Sequence, residues 1–298
     1  PMLDEERQEK AREYARTNRR LFFVGLGLAV AFLLVLLLAD LSRELRALLD
    51  APRAAQVALY GLVLGAAYLV LIAPNKETVY SEYMPDALHP IGSRSPANQL
   101  PEHLRGVTNL CLVSLRPVLE EASRKQRVYA LTDTHWNQQG AFVAYGTTMR
   151  VVEGWFPGVA PHTEADFDVV RRDDRGGDLA GLLAMSDRLI EPSAPAFLPR
   201  FASLARQIPG HGGDDQEWRT ESPDLPSAVV FHDSFGNALI PFLKEHFRRI
   251  WFHNVAEAFD EALMEDVRPE VVMTILAERN LRVLCTPSSA PGSRTSDR

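Results

Sequence analysis

Short apolar runs alternate with stretches of helical periodicity through most of this chain. Tyr68–Ile72, Leu110–Val113, Val128–Leu131, Ala228–Phe231 and Ile250–Phe252 are brief, partly β-branched or aromatic, and read as strands. Between them, 115–125, 140–152 and 238–248 carry apolar residues at helical spacing. Strands alternating with helices predict an α/β fold with a parallel sheet flanked by helices. Pro74 stops the first run. Pro241 cannot sit inside a regular helix, so the last helix is expected to start near Ala238 with the proline in its first turn. The stretch 205–226 reads as a long polar loop, and residues 286–298 as a disordered tail. No internal repeat is visible.

The N-terminal pattern is different. Residues 1–20 alternate charges and read as a solvated helix facing the cytoplasm. Leu21 to Ala39 is an uncharged run of 19 residues, enough at about 1.5 Å per residue to cross a hydrocarbon core of about 30 Å. Arg16, Arg19 and Arg20 precede it and Asp40 closes it, which orients the N-terminus inwards. No small-residue cleavage motif follows, so 21–39 is expected to be a retained single-pass anchor. The rival reading is a buried strand and helix, because "LFFVG" also suits a strand. A second run, Val57 to Ala73, is broken by Gly61 and Gly65, and its end at Tyr68–Ile72 suits a buried strand better than a second span. The expected organisation is 1–20, anchor 21–39, helical connector 40–67, a catalytic domain 68–285 outside the cytoplasmic membrane, and tail 286–298.

The chain has 298 residues and a net charge of -7, which argues against nucleic acid as a partner because phosphate binding needs a basic face. Its two cysteines, Cys111 and Cys285, have no metal-ligand spacing. They read as buried apolar residues, and pairing in an oxidising compartment stays open. No metal and no cofactor are expected.

Two motifs carry chemistry. "TDTHWNQQGAF" (132–142) places Asp133 two residues before His135. Alternate residues of an extended segment face one side, so the carboxylate can accept the N–H of the imidazole and fix its tautomer. "FHDSFGNALIPFL" (231–243) runs a strand into Ser234 and then a helix. A serine at a strand-to-helix turn is a common place for a nucleophile, but it needs a base. Ser234, His135 and Asp133 together make a chemically complete catalytic set. Gly236 and Asn237 are candidates for oxyanion stabilisation, and Trp136, Asn75 and Lys76 for substrate contact. Taken singly the motifs are bland. D-x-H is more often structural, Ser234 also serves as a helix cap, Asp233 suits a brace of the turn, and Trp136 suits the core. His232, His246 and His253 lack accompanying ligands and read as packing or surface residues.

The joint pattern is more specific. "DTHWNQQGAFVAY" followed about a hundred residues later by "FHDSFGNALIPFLKEHF" resembles the alginate O-acetylation proteins of the AlgX/AlgJ type. These are SGNH-hydrolase-like, and related DHHW proteins share the order. The likeness extends to "LIAPNKETVYSEYMP" (71–85) and "GGDLAGLL" (176–183), and covers roughly 68–285. It implies an SGNH-like domain that transfers acetyl groups to polysaccharide hydroxyls outside the cytoplasmic membrane. It places the family's Asp, His and nucleophilic Ser on Asp133, His135 and Ser234. It also implies an acyl donor supplied through a membrane-bound O-acyltransferase. Asn137 stands where the family usually has Thr, a change that keeps a helix cap. "RLFFVGLG" matches a strand that the family often carries, in competition with the membrane helix. No stretch reads as a carbohydrate-binding module, so the polymer is not fixed. Two other functions fit the same residues: an extracytoplasmic esterase with water as acceptor, and a non-catalytic membrane-tethered subunit that binds or assembles polysaccharide.

Overall fold

A computed structural model describes residues 65–87, 95–103, 110–209, 215–254 and 261–282. The expected anchor (21–39), most of the connector and the tail lie outside these residues, as does Cys285, while Cys111 is half-buried. Among the described residues no helix is long and apolar enough to cross a membrane.

The frame is a seven-stranded sheet. Its strands are β1 (Ala67–Ala73), β2 (Leu110–Ser114), β5 (Arg206–Ile208), β6 (Gln216–Arg219), β7 (Ser227–His232), β8 (Arg249–His253) and β9 (Val271–Ala277), in the order β2-β1-β9-β7-β8-β6-β5. The first five are parallel, and β6 and β5 continue the edge antiparallel. A separate hairpin pairs β3 (Phe167–Arg175) with β4 (Ile190–Pro199). The helices are α1 (Lys76–Val79), α2 (Pro96–His103), α3 (Arg116–Ser123), α4 (Gln138–Trp155), α5 (Asp178–Leu182), α6 (Ile240–Leu243) and α7 (Glu261–Val267).

Alternation along the central strands splits the core in two. Leu69, Leu71, Val230, Met273 and Ile275 face α4 and the aromatic residues around it. Tyr68, Val70, Val229, Phe231 and Val272 face α2 and α7. Both faces are covered, so β1, β7 and β9 are buried along nearly their whole length, as expected of parallel strands between helical layers. Strand β9 lies at the centre, yet it is absent from the strands read from sequence. "VVMTILA" is a continuous apolar run, and such a run has no period-2 signature to separate it from a buried helix.

Three expectations change. Residues 128–131 do not form a strand. They make a single antiparallel bridge, Tyr129 to Trp136, that closes a tight turn. The supposed loop 205–226 contains β5 and β6, whose strand character is masked by charged residues such as Glu217, which is buried and held by Arg219 and Arg249 at 2.6 and 2.7 Å. The helix expected at 238–248 is a 3-10 turn (Ser234–Leu239) followed by the short α6, which has Pro241 in its first turn.

Tyr145, on the buried side of α4, ties that helix to the far loops. Its hydroxyl accepts from His162 N–H at 2.6 Å and lies within hydrogen-bond distance of His246 Nε2, at 2.7 Å. Burial, with the His162 charge adding to it, pushes the His246 imidazole down from 6.5 to about 3. Below pH 6.5 the unfolded chain therefore takes up a proton that folded His246 refuses. Stability is expected to fall as pH drops from 6.5 towards 3, by about 1.4 kcal/mol per unit for this group. Urea unfolding at pH 7 and pH 4.5 checks this: the loss should be smaller in His246→Gln than in the parent.

Candidate active site

The site forms where β1, β7 and β9 end, at the carboxyl edge of the parallel sheet. Strand β7 delivers Asp233 and Ser234. Asp233 caps the 3-10 turn by accepting Phe235 N–H at 3.0 Å through Oδ1. Its Oδ2 accepts Ala277 N–H at 2.7 Å and Asn280 Nδ2 at 2.8 Å, tying the end of β7 to the end of β9. Asp233 is thus the brace its position suggested. Ser234, the first residue of the turn, is exposed.

His135 and Asp133 come from the turn between Tyr129 and Trp136. His135 Nε2 lies 2.7 Å from Ser234 Oγ, and Nδ1 lies 2.6 Å from Asp133 Oδ1. The same carboxylate oxygen accepts His135 N–H at 2.9 Å. Burial alone would raise the Asp133 carboxyl. Hydrogen bonds from the His135 ring and backbone and from Asp178 N–H, with the His135 charge, outweigh it and hold Asp133 well below the usual carboxylate range. The imidazole rests against Phe235, ring centroids 4.8 Å apart, and Trp136 packs edge-on to the other part of that ring. Trp136 is 4% exposed and is chiefly core, although it lines a cleft of about 340 Å3 together with Asp133, His135 and Arg172. Ser234 is not in the lining of that cleft. Its hydroxyl lies on the open surface beside it.

The 131–134 turn has almost no ladder of its own, and side chains from elsewhere hold it. Glu191, from β4, accepts Leu131 N–H, Thr132 N–H and the Thr132 hydroxyl, each at 2.8 Å, and stands 3.1 Å from Arg127 Nη2. Lys76 Nζ donates to Leu131 O at 3.0 Å and Asp133 O at 2.9 Å. Lys76 therefore braces the turn with two of its three N–H groups. Burial lowers its pKa, against the pull of Glu191, Asp133 and Asp178. Asn75 faces Arg279 Nη1 through Oδ1 at 3.3 Å. Asn137 caps α4 by accepting Gly140 N–H at 3.0 Å. Gly140 has no room for a side chain, since a Cβ would lie 2.2 Å from Val128 O.

Two candidates for oxyanion stabilisation separate. Gly236 N–H is engaged, donating to Asp233 O at 2.9 Å, so this amide is not available. A Cβ at Gly236 would meet the His232 ring at 2.4 Å, which makes close packing the reason for this glycine. Asn237 is exposed in the same turn. Sequence reasoning missed Glu191 and Asp178. Asp178 lies within the "GGDLAGLL" block, but nothing in a lone Asp after two glycines announces that it folds back on Asp133. Atoms of Asp133, His135 and Asp178 lie within 4.8 Å of one another, a spacing compatible with a metal ion. Here Nδ1 and Oδ1 are joined directly by a hydrogen bond of 2.6 Å.

A serine after a parallel strand, an imidazole on its hydroxyl and a carboxylate behind define a hydrolase-like α/β protein. The chain belongs to the family described as SGNH hydrolase-like domain, acetyltransferase AlgX, whose model matches residues 44–213. That span includes Asp133 and His135 and ends before Ser234. No curated protein matches the chain by sequence. Among solved structures, Bacillus cereus PatB1 is 15% identical, with a TM-score of 0.61 over 78% of this chain and 89% of its own. A DHHW family protein from Eubacterium siraeum is 17% identical, with a TM-score of 0.58 over 78% and 86%. Both likenesses show the shared fold. The O-acetyltransferase domain of Pseudomonas putida AlgJ is 22% identical, with a TM-score of 0.49 over 80% and 84%.

Glu191→Gln turns one acceptor oxygen into a donor facing a donor. It should lower stability by about 1–3 kcal/mol in urea unfolding, whereas Glu120→Gln, in an exposed helical ion pair with Arg116, should change it by less than about 0.5 kcal/mol.

Proposed function

We propose that this protein is an O-acetyltransferase that moves acetyl groups onto hydroxyls of an exported polysaccharide through an acyl-Ser234 intermediate. The observation that carries the reading is the unbroken hydrogen-bonded relay from Asp133 through His135 to Ser234. Membership of an acetyltransferase family supports it.

In this reading His135 Nε2 takes the Ser234 proton as Oγ attacks the carbonyl carbon of the acyl donor. The tetrahedral intermediate collapses, the donor's leaving group departs with the proton from His135, and acetyl-Ser234 remains. A sugar hydroxyl then gives its proton to His135 and attacks the acyl-enzyme, and Ser234 recovers its proton as it leaves. Asp133 holds the imidazole tautomer and stabilises its charged form in both halves. The Phe235 and Gly236 amides are occupied, which leaves Ser234 N–H and the Asn237 side chain to meet the oxyanion. Trp136 would wall the acceptor side.

The remaining parts of the proposal concern context. Residues 21–39 would tether the protein to the cytoplasmic membrane, with the catalytic domain on the far side. A membrane-bound O-acyltransferase would supply the acyl groups. The esterase alternative differs only in its acceptor, water in place of a sugar hydroxyl, and the exposure of Ser234 keeps it in view.

The test uses the full chain with para-nitrophenyl acetate. Ser234→Ala and His135→Ala should each lower turnover roughly 10^3-fold or more. Acetyl-Ser234 should be trapped in the parent by mass spectrometry, and a chelator should leave turnover unchanged. Adding oligosaccharide should divert acetyl groups from water to sugar. Turnover unaffected by both substitutions would sink the triad, and acetate as the sole product with every acceptor tried would favour the esterase.

A further inference from the structure

We infer that Asp178, set in place by Gly177, is a positioning residue for this reaction: it clasps the Asp133–His135 turn and presents a second carboxylate to the imidazole. The inference rests on the reading of Ser234, His135 and Asp133 given above.

The clasp is made of short, specific contacts. Asp178 N–H donates to Asp133 Oδ2 at 3.0 Å. Asp133 Oδ1 already takes two donors from His135, so the Asp178 amide fixes the remaining oxygen and with it the rotation of the carboxylate. The Asp178 side chain in turn accepts Thr134 N–H at 2.6 Å and the Thr134 hydroxyl. Gly177 N–H donates to Thr132 Oγ1 at 3.0 Å, and Ala180 N–H to Thr132 O at 3.2 Å. Residues 132, 133 and 134 are each held by this one segment.

Gly177 makes the approach possible. A Cβ there would lie 2.3 Å from Asp133 Oδ2 and 2.5 Å from its Cβ, closer than non-bonded atoms come. Its φ of -78° is ordinary for any residue, so the requirement for glycine is space beside the carboxylate and not backbone freedom.

The second contribution is charge. Asp178 Oδ2 lies 3.6 Å from His135 Nδ1, beyond hydrogen-bond distance but near enough to act on the imidazolium that forms when Ser234 gives up its proton. Other charged groups also face the imidazole or its turn. Asp133 comes from the turn itself, Lys76 from α1, and Arg172, Asp174 and Arg175 from β3 in the adjoining cleft. Glu191 with Arg127 sits against Leu131 and Thr132, and Arg279 lies over the Phe235 ring at 5.1 Å. Asp178 is the second carboxylate at Nδ1, and Asp178→Asn removes its charge while keeping its shape, its backbone amide and an acceptor for Thr134 N–H.

The measurement is the pH dependence of kcat and kcat/KM of the full chain on para-nitrophenyl acetate. Asp178→Asn should lower kcat roughly tenfold with KM within twofold, and should move the acidic limb of the profile to lower pH, because one fewer negative charge holds the proton on the imidazole. Asp178→Glu should restore part of that limb. Thr134→Val, which loosens the turn without removing charge, should lower kcat and leave the limb in place. Gly177→Ala should lower kcat at least tenfold while thermal unfolding stays within a few degrees of the parent. An Asp178→Asn profile superimposed on the parent's would overturn the inference and leave Asp178 as a pin for the turn. If the parent shows no ester turnover, the reading of Ser234 has failed instead. The clasp is then judged by the low-field proton resonance of His135 Nδ1: displacement in both Asp178→Asn and Gly177→Ala supports it, and an unmoved resonance rejects it.

Discussion

Four residues between Leu131 and Thr134 carry the arrangement on which the whole site depends, and they have almost no structure of their own. Glu191 holds one end through two backbone amides and a hydroxyl. Lys76 holds two carbonyls, and Asp178 holds Thr134 and Asp133. Charged side chains answer five of the turn's eight backbone polar groups, and charge-assisted hydrogen bonds are about twice as strong as neutral ones. A loop that would otherwise be among the softest parts of the molecule becomes a rigid mount for an imidazole. The three supports come from three places in the chain: α1 just after β1, α5 before β4, and β4 itself. Rigidity here is a property of the tertiary fold.

The serine half is built differently. Ser234 follows a buried parallel strand, and Asp233 stitches the ends of β7 and β9 together. Its position is therefore inherited from the sheet. The two halves are 99 residues apart in sequence and meet at 2.7 Å. Phe235 provides the common surface, fully buried against Trp136 and the His135 ring. Apolar packing sets the distance between the halves, and the polar network sets the orientation of one of them.

This division explains what was legible in the sequence. Asp133, His135 and Ser234 stood out because each lies in a local pattern, a D-x-H spacing or a strand-to-turn junction. Asn137 as a cap and Asp233 as a brace were likewise local. Glu191, Asp178 and the bracing role of Lys76 were not legible, because their partners lie 59, 45 and 57 residues away. The same limit hid β3–β4, whose polar middle, Arg171–Arg175, shows no buried face, and the central β9, whose uniform apolarity removes the alternation that marks a strand. The apparent strand at 128–131 fails for the converse reason. Its apolar residues are real core, with Val128 and Tyr129 buried, but the chain must turn at once to bring His135 back towards Ser234.

The same contrast bears on chemistry. The base side of the site is over-determined, with Asp133 carrying three hydrogen bonds and its neighbour Gly177 leaving no free space around it. The serine side is open, and Ser234 is exposed and does not line the cleft beside His135. An enclosed acyl pocket would favour a small, freely diffusing donor. An exposed serine on a fixed relay suits acyl groups and acceptors that arrive on large carriers, because neither has to enter a narrow cavity. Such a site excludes water only when the acceptor itself covers it. In the proposed reaction the choice between sugar and water would depend on the acceptor surface, where Arg172, Arg175 and Trp136 line the cleft beside the imidazole.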